Sequence, residues 1–257
     1  MALHFIDGEK GGVGKSFVTM VLVEYCRERL IEFTLIEADT TNPDIKEGYE
    51  EAQLIQFGFS ESQMQNLDEL FERGKKETLI INLPSRIRER LDYWIEESGI
   101  IELSKEAEIP IYKWFVCTGQ TESMRCLRES IEAYGKTFPH ILVKNYGMLQ
   151  PEDWQQIEKG DEEFNRIRKE EVIGEIEIGK VSTAELSKLA KEKKSLAKAR
   201  QAGVLTIVAR SRFERFLKNA FASIDKLELL TGEKKVSGKV CKEKSEEKGG
   251  ERGESLF

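Results

Sequence analysis

The stretch FIDGEKGGVGKSFVT, residues 5–19, decides the fold class that we predict for this chain. An apolar run ends at Asp7, a glycine-rich turn follows, and Ser16 begins an apolar run with helical spacing. Glycines let the backbone approach a ligand and point its N–H groups inward, and a helix N-terminus adds the positive end of its dipole. This order of strand, turn and helix predicts a loop that binds the phosphates of a nucleotide.

Two side chains of the loop add chemistry to the backbone cradle. Lys15 supplies a positive charge for the β- and γ-phosphates, and the hydroxyl of Ser16 is a natural ligand for Mg²⁺. The alternative is a tight turn with an incidental Gly-Lys-Ser, which the full string KGGVGKS disfavours. The predicted nucleotide-binding residues of the loop are Gly11, Gly12, Val13, Gly14, Lys15, Ser16 and Phe17.

Short apolar runs alternate with amphipathic stretches along most of the chain, and they predict the architecture around the loop. We predict strands at 3–7, 33–39, 78–83, 111–117, 140–145 and 171–178, and helices at 16–31, 61–73, 85–99, 121–135 and 152–170. Such alternation predicts an α/β fold with a mostly parallel, doubly wound sheet and helices on both faces. Ligands of such sheets bind at the carboxyl ends of the strands.

The C-terminal part has a different pattern. After Gly179 it reads as mostly helical, and a last helix over about 206–230 carries a Phe-rich apolar face that we expect to pack against the core. The segment 231–257 is almost devoid of apolar residues, so we predict a disordered polar tail after a phosphate-loop domain at 1–230.

Composition narrows the functional class. The 257 residues carry a net charge of -7, which argues against a uniformly basic nucleic-acid binder. No apolar run approaches the ~18 residues of a spanning helix, and MALHFID lacks a secretory signal pattern, so we expect the cytoplasm. The four cysteines form no CxxC pair and the chain has two histidines, which makes a structural zinc site improbable.

The string KGGVGKS resembles the deviant phosphate loop of the ParA/MinD family of ATPases. The resemblance implies that Lys10 reaches across a nucleotide-sandwiched homodimer to the partner's phosphates, whereas Lys15 acts within its own subunit. Glu9 occupies a position where the family usually has a small residue, but it precedes the glycine core.

The segment LIEADTTNPD, residues 35–44, is similar to the family's acidic switch segment, with Glu37 and Asp39 in its two acidic places. The resemblance implies that Asp39 lies near the γ-phosphate and helps to position Mg²⁺ and the attacking water. A carboxylate fits there because phosphoryl transfer depends mainly on positioning and charge control. The alternative for Asp39 is a helix cap or turn residue.

The segment TLIINLPS, residues 78–85, departs from the family at Asn82, where a strand normally ends in an aspartate. The resemblance implies a contact of residue 82 with Mg²⁺ through water. Asn82 can accept a hydrogen bond but brings no negative charge. We therefore expect weaker metal binding and slow hydrolysis, or a protein that binds ATP without turning it over.

The segment HILVKNYG, residues 140–147, ends the fifth predicted strand with Asn145. The resemblance implies that Asn145 hydrogen-bonds the adenine, and the Asn-Lys-x-Asp pattern of GTPases is absent from this stretch. ATP is therefore favoured over GTP. The alternative for Asn145 is a turn residue at the end of a strand.

The chain is basic over 180–218, with eleven Lys/Arg against three Asp/Glu. ParA-like proteins bind DNA non-specifically through cations of their C-terminal part, and clustered charge suffices for such binding. The alternative is a solvated helix face. The candidate cations are Lys188, Lys191, Lys194, Lys198, Arg200, Arg210, Arg212 and Arg215.

Taken together, the resemblance implies a dimeric, slowly hydrolysing switch ATPase that uses ATP and Mg²⁺. The segments at 37–52, 117–124 and 143–147 are also similar to plasmid conjugal-transfer ATPases of the TraL type, which suggests plasmid partition, mobilisation or conjugation with a partition or transfer-complex partner. The implied catalytic residues are Lys10, Lys15 and Asp39, and the implied metal contacts are Ser16, Asp39 and, through water, Asn82.

Three alternatives to this switch ATPase remain. The first is a regulatory module that binds nucleotide with little hydrolysis. The second is a membrane-cycling ATPase of the MinD type, which the polar tail after the last helix disfavours. The third is a metal-cluster carrier on the same fold, against which the missing cysteine pairs argue.

Overall fold

A computed structural model describes residues 1–135, 137–182, 184–187, 195–201 and 203–230. Of the sequence predictions, the lysines Lys188, Lys191 and Lys194 and the tail at 231–257 lie outside these residues.

One sheet of seven strands organises the described chain, and every recorded strand pairing in it is parallel. Its order is β3-β2-β4-β1-β5-β6-β7. The strands are β1 (Ala2–Asp7), β2 (Thr34–Glu37), β3 (Gln53–Leu54), β4 (Thr78–Asn82), β5 (Ile111–Cys117), β6 (His140–Asn145) and β7 (Val172–Ile178). The predicted α/β class with a parallel, doubly wound sheet is confirmed.

The helices of the described chain are α1 (Lys15–Glu28), α2 (Asp44–Gly48), α3 (Glu61–Arg73), α4 (Arg88–Glu97), α5 (Ile100–Glu106), α6 (Thr121–Tyr134), α7 (Pro151–Gly160), α8 (Glu162–Glu170), α9 (Leu196–Ala199) and α10 (Ile207–Asp225). Helices α1–α8 lie in the connections between the parallel strands, and α9 and α10 follow the last strand. Within the described residues, no helix is both long enough and apolar enough to span a membrane.

Hydrophobic cores form on both faces of the sheet. Alternate side chains of β1 belong to different clusters, Ile6 to the one with α1 and α10, and Leu3 and Phe5 to the one with α3 and α4. This is the period-2 alternation of a strand, and it places β1 between two helical layers. The predicted packing of the last helix is confirmed, because Phe213, Phe216 and Phe221 of α10 are buried in the α1 cluster.

The structure differs from the sequence prediction at several connections. The helix predicted at 85–99 is α4, and an unpredicted helix, α5, begins after Gly99, which has a left-handed φ of 58°. The helix predicted at 152–170 is two helices, because the side chain of Asp161 caps α8 by accepting a hydrogen bond from the Phe164 amide over 2.9 Å. The short elements α2 and β3 were not predicted, since neither is long enough to show periodicity.

Candidate functional site

The glycine-rich loop lies between the carboxyl end of β1 and the first turn of α1, as predicted. Gly12 and Gly14 have φ angles of 77° and 101°, a region that residues with a side chain rarely adopt. A Cβ atom on Gly14 would lie 2.5 Å from Nδ2 of Asn145. The loop therefore requires glycine at position 14 both for its backbone conformation and for its packing.

The loop presents backbone donors that the chain itself leaves unused. Within the described residues, the amides at positions 11–16 donate to no acceptor. Helix α1 begins at Lys15 without a side-chain cap and without an acidic residue in its first turn. Free amides and an uncompensated helix N-terminus together favour a bound anion, so this loop fits a phosphate.

Lys15 is buried beside the loop, and its ammonium contacts two oxygens. Nζ donates to the carbonyl oxygen of Lys10 over 3.2 Å and to Oγ of Ser85 over 3.1 Å. Burial lowers the pKa of Lys15, and the nearby charges of Asp7, Asp39 and Glu9 oppose that shift. Lys10 itself is exposed. The charge of Asp39 is therefore near enough to act on Lys15, whereas the Lys10 side chain faces solvent.

A buried ion pair supports the start of the loop, and sequence reasoning missed it. Oδ2 of Asp7 lies 2.8 Å from Nζ of Lys113, and Oδ1 accepts hydrogen bonds from the amides of Gly8 and Glu9. Burial by itself raises the pKa of Asp7, but Lys113 and the two amides outweigh it and hold that pKa below its usual range. A lysine inside the apolar strand IYKWFVC was the signal that could have revealed this pair.

Glu9, the departure noted in the loop, connects the loop to the segment that follows β4. It has a left-handed φ of 52°, and its carbonyl oxygen accepts a hydrogen bond of 2.8 Å from the amide of Arg86. Burial, with the charge of Asp7, raises the pKa of Glu9. The larger side chain is therefore accommodated at the rim and leaves the glycine core unchanged.

The carboxyl ends of β2 and β4 bring Glu37 and Asn82 into contact, since these two residues are partners in the strand register. Nδ2 of Asn82 donates to Oε1 of Glu37 over 2.9 Å, and Oδ1 of Asn82 accepts from the hydroxyl of Thr19 over 3.0 Å. Burial raises the pKa of Glu37 to about 7. Both polar atoms of Asn82 are thus already bonded within the chain.

Asp39 follows β2 and is half-buried. Its Oδ1 accepts a hydrogen bond of 3.0 Å from the amide of Asn42, which is the turn role that we considered as an alternative. Within the described residues, Oδ2 forms no hydrogen bond, so one oxygen remains available to a ligand.

Asn145 at the end of β6 holds the loop from the other side. Its Nδ2 donates to the carbonyl oxygen of Val13 over 2.7 Å, and its Oδ1 accepts from the amide of Gly147 over 2.9 Å. The side chain therefore acts both as a turn residue and as a support of the loop. A contact with adenine stays a prediction.

The basic C-terminal part is partly neutralised. Arg200 pairs with Glu28 and Glu214, and Arg212 pairs with Glu185. Among the described residues, no acidic partner is found for Arg210 or Arg215, and Lys198 and Lys218 are exposed. The cations that remain for a ligand lie on α9 and along α10.

The position of the loop, the parallel sheet and the strand order define a fold of the phosphate-loop NTPase class. No protein-family model matches the chain. Protein MobD of Acidithiobacillus ferrooxidans is similar in sequence, with 30% identity over 152 residues, and the match covers 55% of this chain and 62% of MobD.

Three solved structures are similar in fold, each with low sequence identity. The MinD cell division protein of Aquifex aeolicus has 14% identity and a TM-score of 0.47, over 84% of this chain and 97% of MinD. A candidate plasmid partition protein of Borrelia burgdorferi B31 bound to AMPPNP has 14% identity and a TM-score of 0.46, over 84% and 97% of the two chains. A nucleotide-binding protein of Archaeoglobus fulgidus in complex with ADP has 15% identity and a TM-score of 0.43, over 76% and 87%.

Proposed function

We propose that this protein is an ATP-dependent switch of the ParA/MinD type, with slow hydrolysis, that acts in the cytoplasm in plasmid mobilisation or partition. One observation carries the proposal. The unpaired amides at 11–16 and the ammonium of Lys15 converge at the N-terminus of α1, where a triphosphate would be bound by backbone donors and one cation. The partial similarity to MobD supports the mobilisation role.

The residues around the loop also fit Mg²⁺, which takes oxygen ligands and is usually shared with substrate phosphates. The hydroxyl of Ser16 and the free Oδ2 of Asp39 are the oxygens that would hold it, and a bound Mg²⁺ would neutralise charge on the phosphates. Asp39 would orient the attacking water, and Lys15 would stabilise the negative charge of the transferred group.

Dimerisation is the second part of the proposal. Lys10 is exposed at the rim of the loop, which suits a side chain that reaches the phosphates of a partner subunit.

Non-specific DNA binding by the exposed cations of α9 and α10 is the third part of the proposal. Because these are charge contacts, we expect DNA affinity to fall steeply with salt.

A regulatory module with little hydrolysis is the second candidate function, and Asn82 favours it. The side chain carries no charge, and both of its polar atoms are bonded to Glu37 and Thr19. The membrane-cycling alternative receives no support from α10, because its Phe-rich face is packed against α1.

Titration calorimetry with Mg-ATP tests the proposal directly. We expect Lys15→Ala to weaken binding by at least ~10-fold, because a charge-assisted contact to phosphate is lost. Lys105→Ala is the matched control, since Lys105 is exposed on α5, and it should bind as the wild type does. A folded wild-type protein that takes up no Mg-ATP would refute the proposal.

Three further measurements test the separate parts of the proposal. Phosphate release with and without DNA distinguishes the ATPase from the regulatory module, with Lys15→Ala as the background. Size-exclusion chromatography with and without ATP tests the dimer, and Lys10→Ala should remove any shift that ATP produces. A gel-shift series in rising salt with Arg210→Ala/Arg215→Ala tests the DNA contacts.

A further inference from the structure

Asn82 and Glu37 form one buried hydrogen-bonded pair, and the rest of the site depends on it. They are 1% and 0% exposed, and Nδ2 of Asn82 donates to Oε1 of Glu37 over 2.9 Å. On the other side, Oδ1 of Asn82 accepts from Thr19 of α1 over 3.0 Å. The Glu37 carboxylate only accepts, so it favours the orientation in which the NH₂ group of Asn82 faces it, and Thr19, which also donates to the carbonyl oxygen of Lys15 over 3.0 Å, is compatible with that orientation.

Glu37 holds the segment that contains Asp39. Its Oε1 also accepts a hydrogen bond of 2.9 Å from the amide of Asp39, and its Oε2 accepts one of 3.0 Å from the amide of Ile45 in α2. One carboxylate thus fastens the chain between the end of β2 and α2 at two points. Asp39 lies between these points, so its position depends on Glu37.

An aspartate at position 82 would be worse here than the asparagine. It would place a second carboxylate within hydrogen-bonding distance of Glu37, where two carboxylates cannot both ionise without repulsion. Where both carboxylates are ionised, Glu37 loses a donor and gains a like charge, and its hold on Asp39 and Ile45 weakens.

We infer that Asn82 is a positioning residue, whose neutral amide keeps Glu37 bound to the backbone of Asp39 and Ile45. In this chain the buried acidic charge belongs to β2, and the end of β4 must supply a neutral donor. Asn82 therefore has a structural role of its own, in addition to lacking the negative charge of an aspartate. The inference rests on the proposed function only where Asp39 is assigned to the γ-phosphate.

Amide hydrogen exchange in the absence of nucleotide tests this arrangement. In Asn82→Asp we expect the amides of Asp39 and Ile45 to exchange ~10-fold faster than in the wild type, because both lose a well-held acceptor. The matched variants are Glu37→Gln and the double variant Glu37→Gln/Asn82→Asp.

These two variants should give opposite patterns. In Glu37→Gln, the single oxygen must face Asn82 and Asp39, so the amide of Asp39 stays protected and that of Ile45 exchanges faster. In the double variant, the NH₂ group of the introduced glutamine must face the introduced aspartate. The glutamine oxygen then accepts the hydrogen bond from the amide of Ile45. The amide of Asp39 is left without an acceptor and exchanges faster. A general loss of structure would speed exchange at both sites alike.

The second measurement is the ratio of ATP to ADP affinity. We expect Asn82→Asp to bind ATP less tightly while ADP affinity stays close to that of the wild type, because the displaced residue assigned to the nucleotide, Asp39, faces the γ-phosphate that ADP lacks. Unchanged exchange at both amides, the same pattern in both matched variants, or tighter ATP binding by Asn82→Asp would overturn the inference. If Asn82→Asp fails to fold, the exchange patterns of Glu37→Gln and of the double variant still test the inference. A protein that binds no ATP would refute the proposed function and leave the exchange test intact.

Discussion

The ammonium of Lys113 lies 2.8 Å from Oδ2 of Asp7, and both side chains are 3% exposed. Lys113 also donates to Oγ of Ser130 over 3.0 Å and lies 4.3 Å from the ring centroid of Tyr134. The other oxygen of Asp7 accepts from the amides of Gly8 and Glu9. A buried cation on β5 therefore fixes the carboxylate that holds the start of the phosphate loop.

Removing one partner of this pair should be costly. We expect Lys113→Met to lower the free energy of unfolding by ~3–5 kcal/mol, because Asp7 would remain as an unpaired buried charge. Chemical denaturation measures this change. Lys75→Ala breaks the exposed pair of Lys75 with Glu72 and should change stability by less than ~1 kcal/mol.

The double variant Lys113→Met/Asp7→Asn gives the complementary test. Asparagine can still accept hydrogen bonds from the loop amides but leaves no buried charge, so we expect it to recover part of the lost stability. Equal stability of Lys113→Met and the wild type would show that the pair does not support the loop.

Gly14→Ala should disrupt the loop itself. The new Cβ would lie 2.5 Å from Nδ2 of Asn145 at a φ of 101°, so the hydrogen bond from Asn145 to Val13 must break. We expect a loss of ~1–3 kcal/mol in stability and weaker nucleotide binding. Gly160→Ala is the control, because a Cβ there meets no atom within 4 Å. The idea fails if both variants bind nucleotide equally well.

The two histidines should make the protein sensitive to acid. Burial lowers the pKa of His4 to about 3, and burial with the charge of Lys113 lowers the pKa of His140 to about 3. Between these values and the ordinary pKa of 6.5, the unfolded chain binds protons that the folded protein does not. Stability is therefore fully present above pH ~6.5 and falls as the pH decreases, by up to about 1.4 kcal/mol per pH unit for each histidine.

His4→Gln tests this contribution, because a glutamine oxygen can still accept the hydrogen bond that Trp114 donates to His4. Unfolding free energies measured between pH 4 and pH 6 should depend less steeply on pH, by about 1.4 kcal/mol per unit. Parallel curves for variant and wild type would contradict the prediction.

Tyr49→Phe should loosen the contact between the start of α9 and the residue that follows α2. The Tyr49 hydroxyl donates to Oε1 of Glu24 over 2.9 Å and accepts from the amide of Leu196 over 3.2 Å. Its loss leaves a buried amide without an acceptor, at a cost of ~1–3 kcal/mol. We expect faster hydrogen exchange at Leu196 and weaker DNA binding, with ATP affinity unchanged.

Tyr93→Phe is the matched control for this experiment. Tyr93 is 39% exposed, and its hydroxyl forms no hydrogen bond with the described residues. A similar effect of both variants on exchange at Leu196 would rule out a specific role for Tyr49.

Local pattern was sufficient to predict much of this protein. The glycine-rich loop was located from KGGVGKS alone, because the steric demands of its turn and the helix that follows are encoded in neighbouring residues. The alternation of apolar runs with amphipathic stretches predicted the parallel sheet, since strands buried between two helical layers must be apolar throughout. The break at Asp161 was missed because a single residue interrupts otherwise continuous helical spacing.

The contacts that control the site were decided by tertiary structure. Glu37 and Asn82 are 45 positions apart, and Asp7 and Lys113 are still farther apart in the chain, so no local pattern joins them. They meet because β2 pairs with β4 and β1 pairs with β5 in one particular register. The sequence by itself determined which residues could bind phosphate, whereas only the strand register decided which buried charges pair, because pairing depends on distances that the folded sheet creates.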